Sequence, residues 1–341
     1  MATVGIIVNP WAGKDVRRLH APVGQTSDAA KVGSVHRIAA GALDAGAERV
    51  AVLRDAGRIA ERALARVAGG ELVDGEGTGS ALDTRRGATK LAAMGCLPIV
   101  VLGGDGTCRE VAIGAPHAVI IPISTGTNNV FPAFIDGSSA GTAAGLLARG
   151  ALDPHAVGRP AKVLHVEVCE ADGTTSHDIA LVDLALIDGS GVGARAVVRA
   201  SAVKLVVAVI ASAMSTGLSA IAGRLHPIDR HVPGAVVVHT GPHGRTIGVP
   251  IVPGSHQDVA VQSVDVLPEG GCLRFAGPGV LAFDGERERV IREDDVVTVT
   301  VRTDGPLVID VARALQCAVK RRLFDVPTVF DVPAGEAHHG D

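Results

Sequence analysis

The chain has 341 residues, of which 47% are hydrophobic and 20% charged, and its formal net charge is −4. This composition predicts a globular protein long enough for two domains and excludes a disordered chain. The acidic balance, with six Phe, one Trp and no Tyr, disfavours a nucleic-acid binder, which needs a basic patch or stacking aromatics. Five scattered cysteines without a CxxC pair favour a reducing, cytoplasmic location.

The first half of the chain predicts a parallel α/β domain, because short apolar runs alternate with longer helical stretches. Strands are predicted at VGIIVNP, RVAVLRD, LPIVVLGG and AVIIPIS, and helices at SVHRIAAGALDAGAERV, DAGRIAERALARVAGG and SSAGTAAGLLARG. Uniformly apolar strands of this kind are typical of parallel strands covered on both faces. We therefore expect a Rossmann-like α/β nucleotide domain over residues 1–155.

The second half has a different pattern. Short alternating strands separated by Gly, Pro or Asp predict an antiparallel β-sandwich over residues 156–304, and residues 305–335 return to a strand–helix pattern that we expect to pack back onto the first domain. The run LVVAVIASAMSTGLSAIAG (205–223) is long enough to span a bilayer. Its Ser, Thr and Gly residues favour a buried helix, or a helix plus a turn, so we expect no membrane association.

Two glycine-bearing segments follow neighbouring predicted strands. VVLGGDGTCREV (100–111) joins a strand to a helix, where backbone N–H groups attract phosphate and glycines admit a ligand close to the main chain. Asp105 would then work with Mg²⁺ or accept a proton from an attacking hydroxyl; a tight turn capped by Asp is the alternative. PISTGTNNVFP (122–132) follows the next strand. Parallel strands would bring both loops to one edge of the sheet, where α/β folds bind ligands.

The segments IIVNPWAGK, VVLGGDGT, PISTGTNN and LAFDGERE, in this order, resemble the superfamily of NAD kinases, diacylglycerol kinases and sphingosine kinases. Within it, the chain is similar to the ATP-NAD kinase-like proteins of the acetoin catabolism protein X type, whose style GARA (193–196) and GLSAIAG (217–223) share. The resemblance covers nearly the whole chain. It implies an α/β nucleotide domain, a β-sandwich domain, and phosphoryl transfer with ATP and Mg²⁺ in the cleft between them.

The resemblance also implies residue roles. Asp105 would be the catalytic base or the partner of the acceptor hydroxyl, and Asp284 and Glu286 of the late DGE motif would bring further acidic groups to the site. The alternative for Asp284 and Gly285 is a simple hairpin turn. The residues implied to bind nucleotide and phosphate are Asn9, Gly103, Gly104, Gly106, Thr107, Thr125, Gly126, Thr127, Asn128 and Asn129.

Two departures from true NAD kinases concern the acceptor. NAD kinases share an Asn-Glu or Asn-Asp pair that binds the acceptor dinucleotide. In this chain Val182 occupies the position of that Asn, and Asp183 follows it. A long motif of the STPTGSTAY kind is also missing. Asp183 either holds an acceptor hydroxyl or faces solvent on an alternating strand.

Several weaker candidates remain open between function and ordinary placement. Lys14 matches only part of a P-loop, since Asp15 follows it. Three other basic residues could clamp phosphates or lie at the surface: Arg159, Lys162 and Arg195. Four histidines could bind a metal or lie in loops: His226, His231, His239 and His243.

The sequence therefore predicts a cytoplasmic ATP- and Mg²⁺-dependent kinase that phosphorylates a hydroxyl of a small polar acceptor, with NAD as the best single guess. A lipid or sphingoid-type kinase and a non-catalytic nucleotide sensor are the alternatives. A dehydrogenase is remote, because no GxGxxG follows the first strand. An apolar face on the predicted helix near 205–223 suggests a homodimer.

Overall fold

A computed structural model describes residues 1–13, 26–126, 129–189, 199–252 and 254–325 of the chain. The predicted residues Lys14, Thr127, Asn128 and Arg195 lie outside the described residues.

The first sheet is parallel except for one edge strand. Its seven strands lie in the spatial order β3 (Gly70–Val73), β2 (Arg49–Leu53), β1 (Thr3–Val8), β4 (Ile99–Gly103), β5 (Val119–Ser124), β17 (Leu307–Ile309) and β6 (Gly158–Pro160). Only β6 runs antiparallel to its neighbour, β17. The chain order reverses between β1 and β4, which are adjacent and parallel. Ligands of open α/β sheets bind outside the carboxyl ends of the strands at such a reversal.

Helices accompany the strands of this sheet. They are α1 (Asp28–Asp44), α2 (Ile59–Leu64), α3 (Ala81–Ala93), α4 (Asp105–Gly114), α5 (Gly137–Ala148), α6 (Pro154–Val157) and α8 (Val311–Lys320). Small residues let α1 and α5 approach closely: a Cβ on Gly145 would lie 2.2 Å from the Ala42 carbonyl oxygen. The sheet strands are apolar and buried, as parallel strands between helices must be.

Two antiparallel sheets form the second part of the chain. One has six strands in the order β12 (Ser255–Leu267), β11 (Ala235–Val252), β10 (Val203–Ala208), β9 (Asp183–Ile187), β14 (Gly279–Phe283) and β15 (Glu286–Ile291). The other has four, in the order β13 (Cys272–Ala276), β16 (Val296–Arg302), β7 (Val163–Cys169) and β8 (Thr175–Ala180). The predicted fold class, a parallel α/β domain followed by antiparallel β sheets, is confirmed.

The hydrophobic core runs through both parts. One cluster of buried side chains includes Ile7 and Cys108 from the first part and Leu181 and Phe283 from the second, with Phe131 among them. The chain also returns to the first sheet after the sandwich, since β17 pairs with β5 in parallel. The two parts are therefore packed against each other through apolar contacts as well as polar ones.

The prediction of a buried helix, or a helix plus a turn, over 205–223 is wrong for the first part of this run. Residues 203–208 form β10, a buried strand between β9 and β11, and only α7 (Ser219–Gly223) is helical. The apolar run reflects burial of a central strand on both faces, which periodicity does not separate from a buried helix. No helix of the described ranges is long and apolar enough to cross a membrane.

Candidate active site

The reversal point of the first sheet brings Asn9 to the start of α4. Asn9 follows β1, and its backbone N–H donates to the Leu102 carbonyl at 2.9 Å. Its side-chain Nδ2 donates to Thr107 Oγ1 at 2.8 Å, while its Oδ1 accepts from the Trp11 N–H at 2.9 Å. Asn9 therefore ties the loop after β1 to the first turn of α4.

The three glycines of the GGDGT segment have different surroundings. A Cβ on Gly103 would lie 2.5 Å from the Thr107 side chain, and one on Gly104 would lie 2.7 Å from Asn129 Oδ1. These two glycines are thus required by contacts within the protein. A Cβ on Gly106 would meet nothing within 4 Å, so Gly106 is the glycine whose open side a ligand can approach.

Asp105 is the first residue of α4 and is buried. Its Oδ1 accepts from the backbone N–H groups of Val130 at 3.0 Å and Phe131 at 2.8 Å, and its Oδ2 accepts from Val130 at 3.1 Å. The carboxylate therefore fixes the end of the loop that follows β5. No sequence motif indicated these two long-range backbone contacts of Asp105.

The loop after β5 lies directly beside the GGDGT segment, as predicted from the parallel strands. The Thr125 N–H donates to the Gly103 carbonyl at 3.2 Å. Ser124 Oγ donates to the Gly126 carbonyl at 2.9 Å and accepts from Asn129 Nδ2 at 2.8 Å. The described part of the loop is thereby held in one conformation.

One hydroxyl of this loop stands out. Thr125 is 7% exposed, and its Oγ1 has no hydrogen-bond partner among the described residues. A buried hydroxyl normally finds a partner, because burial without one costs about 1–3 kcal/mol. The Thr125 hydroxyl is therefore a polar atom that a bound ligand could satisfy.

Asp284 lies at the tip of the β14–β15 hairpin, so the hairpin alternative for this motif describes its backbone correctly. Asp284 and Gly285 have φ of 48° and 83° and connect the paired residues Phe283 and Glu286. Two positive φ angles in a two-residue loop are typical of a type I′ turn. The turn directs the Asp284 side chain inward, where it is buried.

Backbone amides surround the Asp284 carboxylate. Its Oδ1 accepts from the N–H groups of Leu181 at 3.0 Å, Val182 at 2.8 Å and Asp183 at 3.3 Å. Burial raises the pKa of Asp284 from an ordinary 3.8 to about 6, against the opposing effects of the Arg109 charge and these amides. A carboxyl with a pKa near 6 is suited to exchange a proton close to neutral pH.

The carboxylates of Asp105 and Asp284 come from different parts of the chain but act on one buried thiol. Burial raises the pKa of Cys108 well above its ordinary value, and the charges of Asp105 and Asp284 raise it further. Cys108 lies on α4, between Asp105 and Arg109. The structure thus brings the two predicted acidic residues to the same region.

The remaining predicted acidic residues are close to this hairpin. Asp183 is the first residue of β9 and is 3% exposed, so the alternative in which it faces solvent is wrong. Its carbonyl accepts from the Asp284 N–H at 2.9 Å. Glu286 is the first residue of β15 and is half-buried.

Two arginines that the sequence analysis missed cross between the two parts of the chain. Arg109, on α4, is 2% exposed. It reaches the second part, where it pairs with Asp178 at 2.7 Å, donates to the Ile179 carbonyl at 2.7 Å and stacks 4.7 Å from the Phe283 ring centroid. The only sequence signal was a charged pair, Arg109 and Glu110, within an otherwise apolar helical stretch.

Arg230 crosses in the opposite direction. From a loop before β11, its two Nη atoms donate to the carbonyls of Val130 and Phe131, each at 3.1 Å. The segment that donates its N–H groups to Asp105 therefore offers its carbonyls to Arg230.

Among the weaker candidates, Lys162 does not act as a phosphate clamp. It is 2% exposed, and its Nζ donates to the carbonyls of Asp229, Val232 and Gly234 at 2.9, 2.6 and 3.3 Å. Burial lowers its pKa to about 8. Within the described ranges, no group of three His, Cys, Asp or Glu side chains could hold a metal ion. His226 and His231 lie outside the helices and strands, and His239 and His243 lie on β11.

Comparison with known proteins agrees with this architecture. A family model described as the ATP-NAD kinase N-terminal domain matches residues 4–151, and one described as the acetoin catabolism protein X C-terminal domain matches residues 162–304. Acetoin catabolism protein X of Cupriavidus necator is 34% identical over 335 residues, which cover 94% of this chain and 93% of the relative.

A solved structure shows the same fold. Yeast NADH kinase complexed with NADH has a TM-score of 0.56 at 13% identity, with 96% of this chain and 89% of that chain covered. An NAD kinase from Archaeoglobus fulgidus in complex with ATP has a TM-score of 0.40 at 17% identity, covering 81% of this chain and 99% of that chain.

Proposed function

This chain belongs to the acetoin catabolism protein X family, and on that premise we propose that it is a kinase that transfers a phosphoryl group from ATP to a hydroxyl of a small polar acceptor. The family expected from the sequence is confirmed. The observation that carries the proposal is that Asp105, at the start of α4, and Asp284, beside Phe283, meet in one buried region. There Arg109 of α4 stacks 4.7 Å from the Phe283 ring centroid, and Cys108 of α4 shares an apolar cluster with Phe283.

The donor nucleotide is proposed to lie against α4 and the loop after β5. Support comes from the open side of Gly106, the buried Thr125 hydroxyl and the N-terminus of α4, which attracts negative charge. Mg²⁺ would arrive with the nucleotide, because it is commonly held by phosphate oxygens, water and only one or two carboxylates. Asp105 and Asp284 are the carboxylates that we propose for that role.

The chemistry proposed for the chain's own groups is proton transfer and positioning. An acceptor hydroxyl must lose its proton as it attacks phosphorus, and a carboxylate can take that proton. We propose Asp105 for this role, as implied by the family motif, with Asp284 as the second acidic partner and Asp183 and Glu286 near the acceptor. NAD is the first acceptor to test.

A nucleotide sensor without turnover is the second candidate, and a specific observation favours it. Both carboxylates accept backbone N–H bonds, from two amides at Asp105 and three at Asp284. Such bonds favour the charged form of a carboxylate, although at Asp284 they only partly offset the effect of burial on its pKa. If holding the two loops is their whole purpose, the protein binds nucleotide and does not turn it over.

The experiment that separates the two is ADP release from ATP and Mg²⁺ with NAD, small polyols, ketols, nucleosides and a micellar lipid as acceptors. Asp105→Asn keeps an oxygen for the Val130 and Phe131 amides but removes the charge. Asp295→Asn is the matched control, because Asp295 is 3% exposed and accepts from the backbone N–H groups of Ala171 and Arg292. A kinase shows acceptor-dependent ADP release that Asp105→Asn abolishes and Asp295→Asn keeps. Tight ATP binding without turnover on any acceptor identifies the sensor.

A homodimer remains a proposal with a different basis. The run 205–223 offers no long apolar helix for a dimer contact, since it begins within the buried strand β10 and only α7 is helical. Val264 and Val266 are instead 38% and 57% exposed on β12, an edge strand of the six-stranded sheet. Exposed apolar edge strands favour pairing with another chain, and sedimentation of the purified protein tests it.

A further inference from the structure

A cavity of about 590 Å³ lies between the first sheet and the sandwich, and the proposed kinase chemistry does not use it. Its walls are largely apolar and come from the loop before α5, the start of α8, and Ile210 after β10. This volume lies within the range of small-molecule sites, about 300–1,000 Å³.

The cavity is on the side of the Val130–Phe131 peptide group away from Asp105. The N–H of Phe131 donates to Asp105 and the C=O of Val130 accepts from Arg230. In a trans peptide these two groups point in opposite directions. Arg230 and Phe131 both line the cavity, so its contents face Arg230 while the peptide group separates them from the Asp105 carboxylate.

The charges around the cavity are unbalanced in favour of cations. Lys162 is compensated by three carbonyls, as described above. Asp136 and Asp310 cap helices, accepting from the N–H groups of Ser138 at 2.8 Å and Arg313 at 3.0 Å.

The two arginines of the cavity wall are compensated less fully than Lys162, since Arg230 donates to two carbonyls and is only half-buried. Within the part of the chain that the structure describes, no carboxylate pairs with Arg159 or Arg230. Arg230 is half-buried, and its two contacts use one N–H on each Nη of a group that carries five N–H donors. A half-buried guanidinium beside an apolar cavity favours an anion, most readily a carboxylate, as its partner.

We propose that this cavity is a second ligand site, distinct from the phosphoryl-transfer site, which binds a small monocarboxylate with an apolar body. The carboxylate pairs with Arg230, and the apolar body lies against the walls formed by Phe134, Ile135, Ile210 and Leu315. Because Arg230 also holds the segment that contacts Asp105, such a ligand is connected to the proposed active site through one peptide group.

Calorimetric titration with octanoate tests the proposal, with octanol as the uncharged control of the same length. Octanoate is expected to bind, and octanol to bind about tenfold or more weakly, since a charge-assisted hydrogen bond is lost. Ala312→Trp fills the cavity from an exposed position of α8 and is expected to abolish binding without unfolding the protein. Arg230→Gln is expected to weaken octanoate binding by roughly tenfold and to leave octanol binding unchanged.

The proposal is overturned if octanoate does not bind, or if Ala312→Trp binds it as tightly as the unaltered protein. Equal affinity for octanol and octanoate overturns the anionic part of the assignment. If Arg230→Gln fails to fold, the Ala312→Trp comparison still decides the location of the site, and the octanol comparison still decides its charge preference.

Discussion

Replacing Asp284 by Asn is expected to change how the stability of the protein depends on pH. The Asp284 carboxyl is buried and has a pKa of about 6 in the folded protein, against an ordinary 3.8. At 1.36 kcal/mol for each pKa unit, this difference corresponds to about 3 kcal/mol. Because the folded-state pKa is raised, the stabilising contribution is complete below pH 3.8 and is lost as the pH rises through 6.

The asparagine variant lacks this titration and resembles the protonated carboxyl at every pH. Relative to Asp284→Asn, the free energy of unfolding of the unaltered protein should therefore fall by about 3 kcal/mol as the pH rises from below 3.8 to well above 6. About half of that decrease should occur between pH 5 and pH 7.5. Urea unfolding followed by circular dichroism at several pH values gives both free energies. A stability difference that stays constant over this range would refute the reasoning, because it would mean that the Asp284 carboxyl is already ionised at pH 5.

The positive charge of Arg109 supplies an internal check on this prediction. Arg109 lowers the pKa of Asp284, so Arg109→Met should move the transition to a higher pH. A transition that stays near pH 6 in that variant would mean that Arg109 does not act on the Asp284 carboxyl.

Two further predictions concern the proposed nucleotide contacts. Gly106→Ala should leave the fold intact and stabilise α4 by up to about 1 kcal/mol, because a Cβ at this position has no atom within 4 Å. If a phosphate of ATP approaches Gly106, the KM of this variant for ATP should rise. An unchanged KM would show that Gly106 does not contact the nucleotide. Thr125→Val should raise the free energy of unfolding by about 1 kcal/mol, because it removes a buried hydroxyl without a partner in the described residues. The same variant should bind ATP more weakly in calorimetry if the Thr125 hydroxyl contacts the nucleotide. Equal ATP binding would contradict that contact.

Much of the first domain could be predicted because its signals are local. The strands β1, β4 and β5 are short apolar runs: β1 ends two residues before Pro10, β4 ends at Gly103 and β5 ends at Ser124. Parallel pairing then brings the loops after β4 and β5 to one edge of the sheet. The proximity of the GGDGT and STGTNN segments followed from that topology. The helix predicted over 205–223 failed because the apolar run of β10 is compatible with either structure.

The polar network between the two parts could not be predicted, because its partners are far apart in sequence. Arg109 contacts Ile179, 70 residues away, and Arg230 contacts Val130, 100 residues away. Only the packing of the sandwich against α4 makes these contacts possible. The amides around Asp284 likewise depend on β14 lying beside β9, a pairing that no motif encodes.

The most direct test of the central claim follows the γ-phosphate itself. ATP labelled at the γ-position is incubated with Mg²⁺, NAD and the other acceptors, and the products are separated and counted for the unaltered protein and Asp105→Asn. The account predicts label attached to an acceptor hydroxyl with the unaltered protein and none with Asp105→Asn. Label that remains in ATP, or appears only as inorganic phosphate whatever the acceptor, would contradict phosphoryl transfer as the function of this protein.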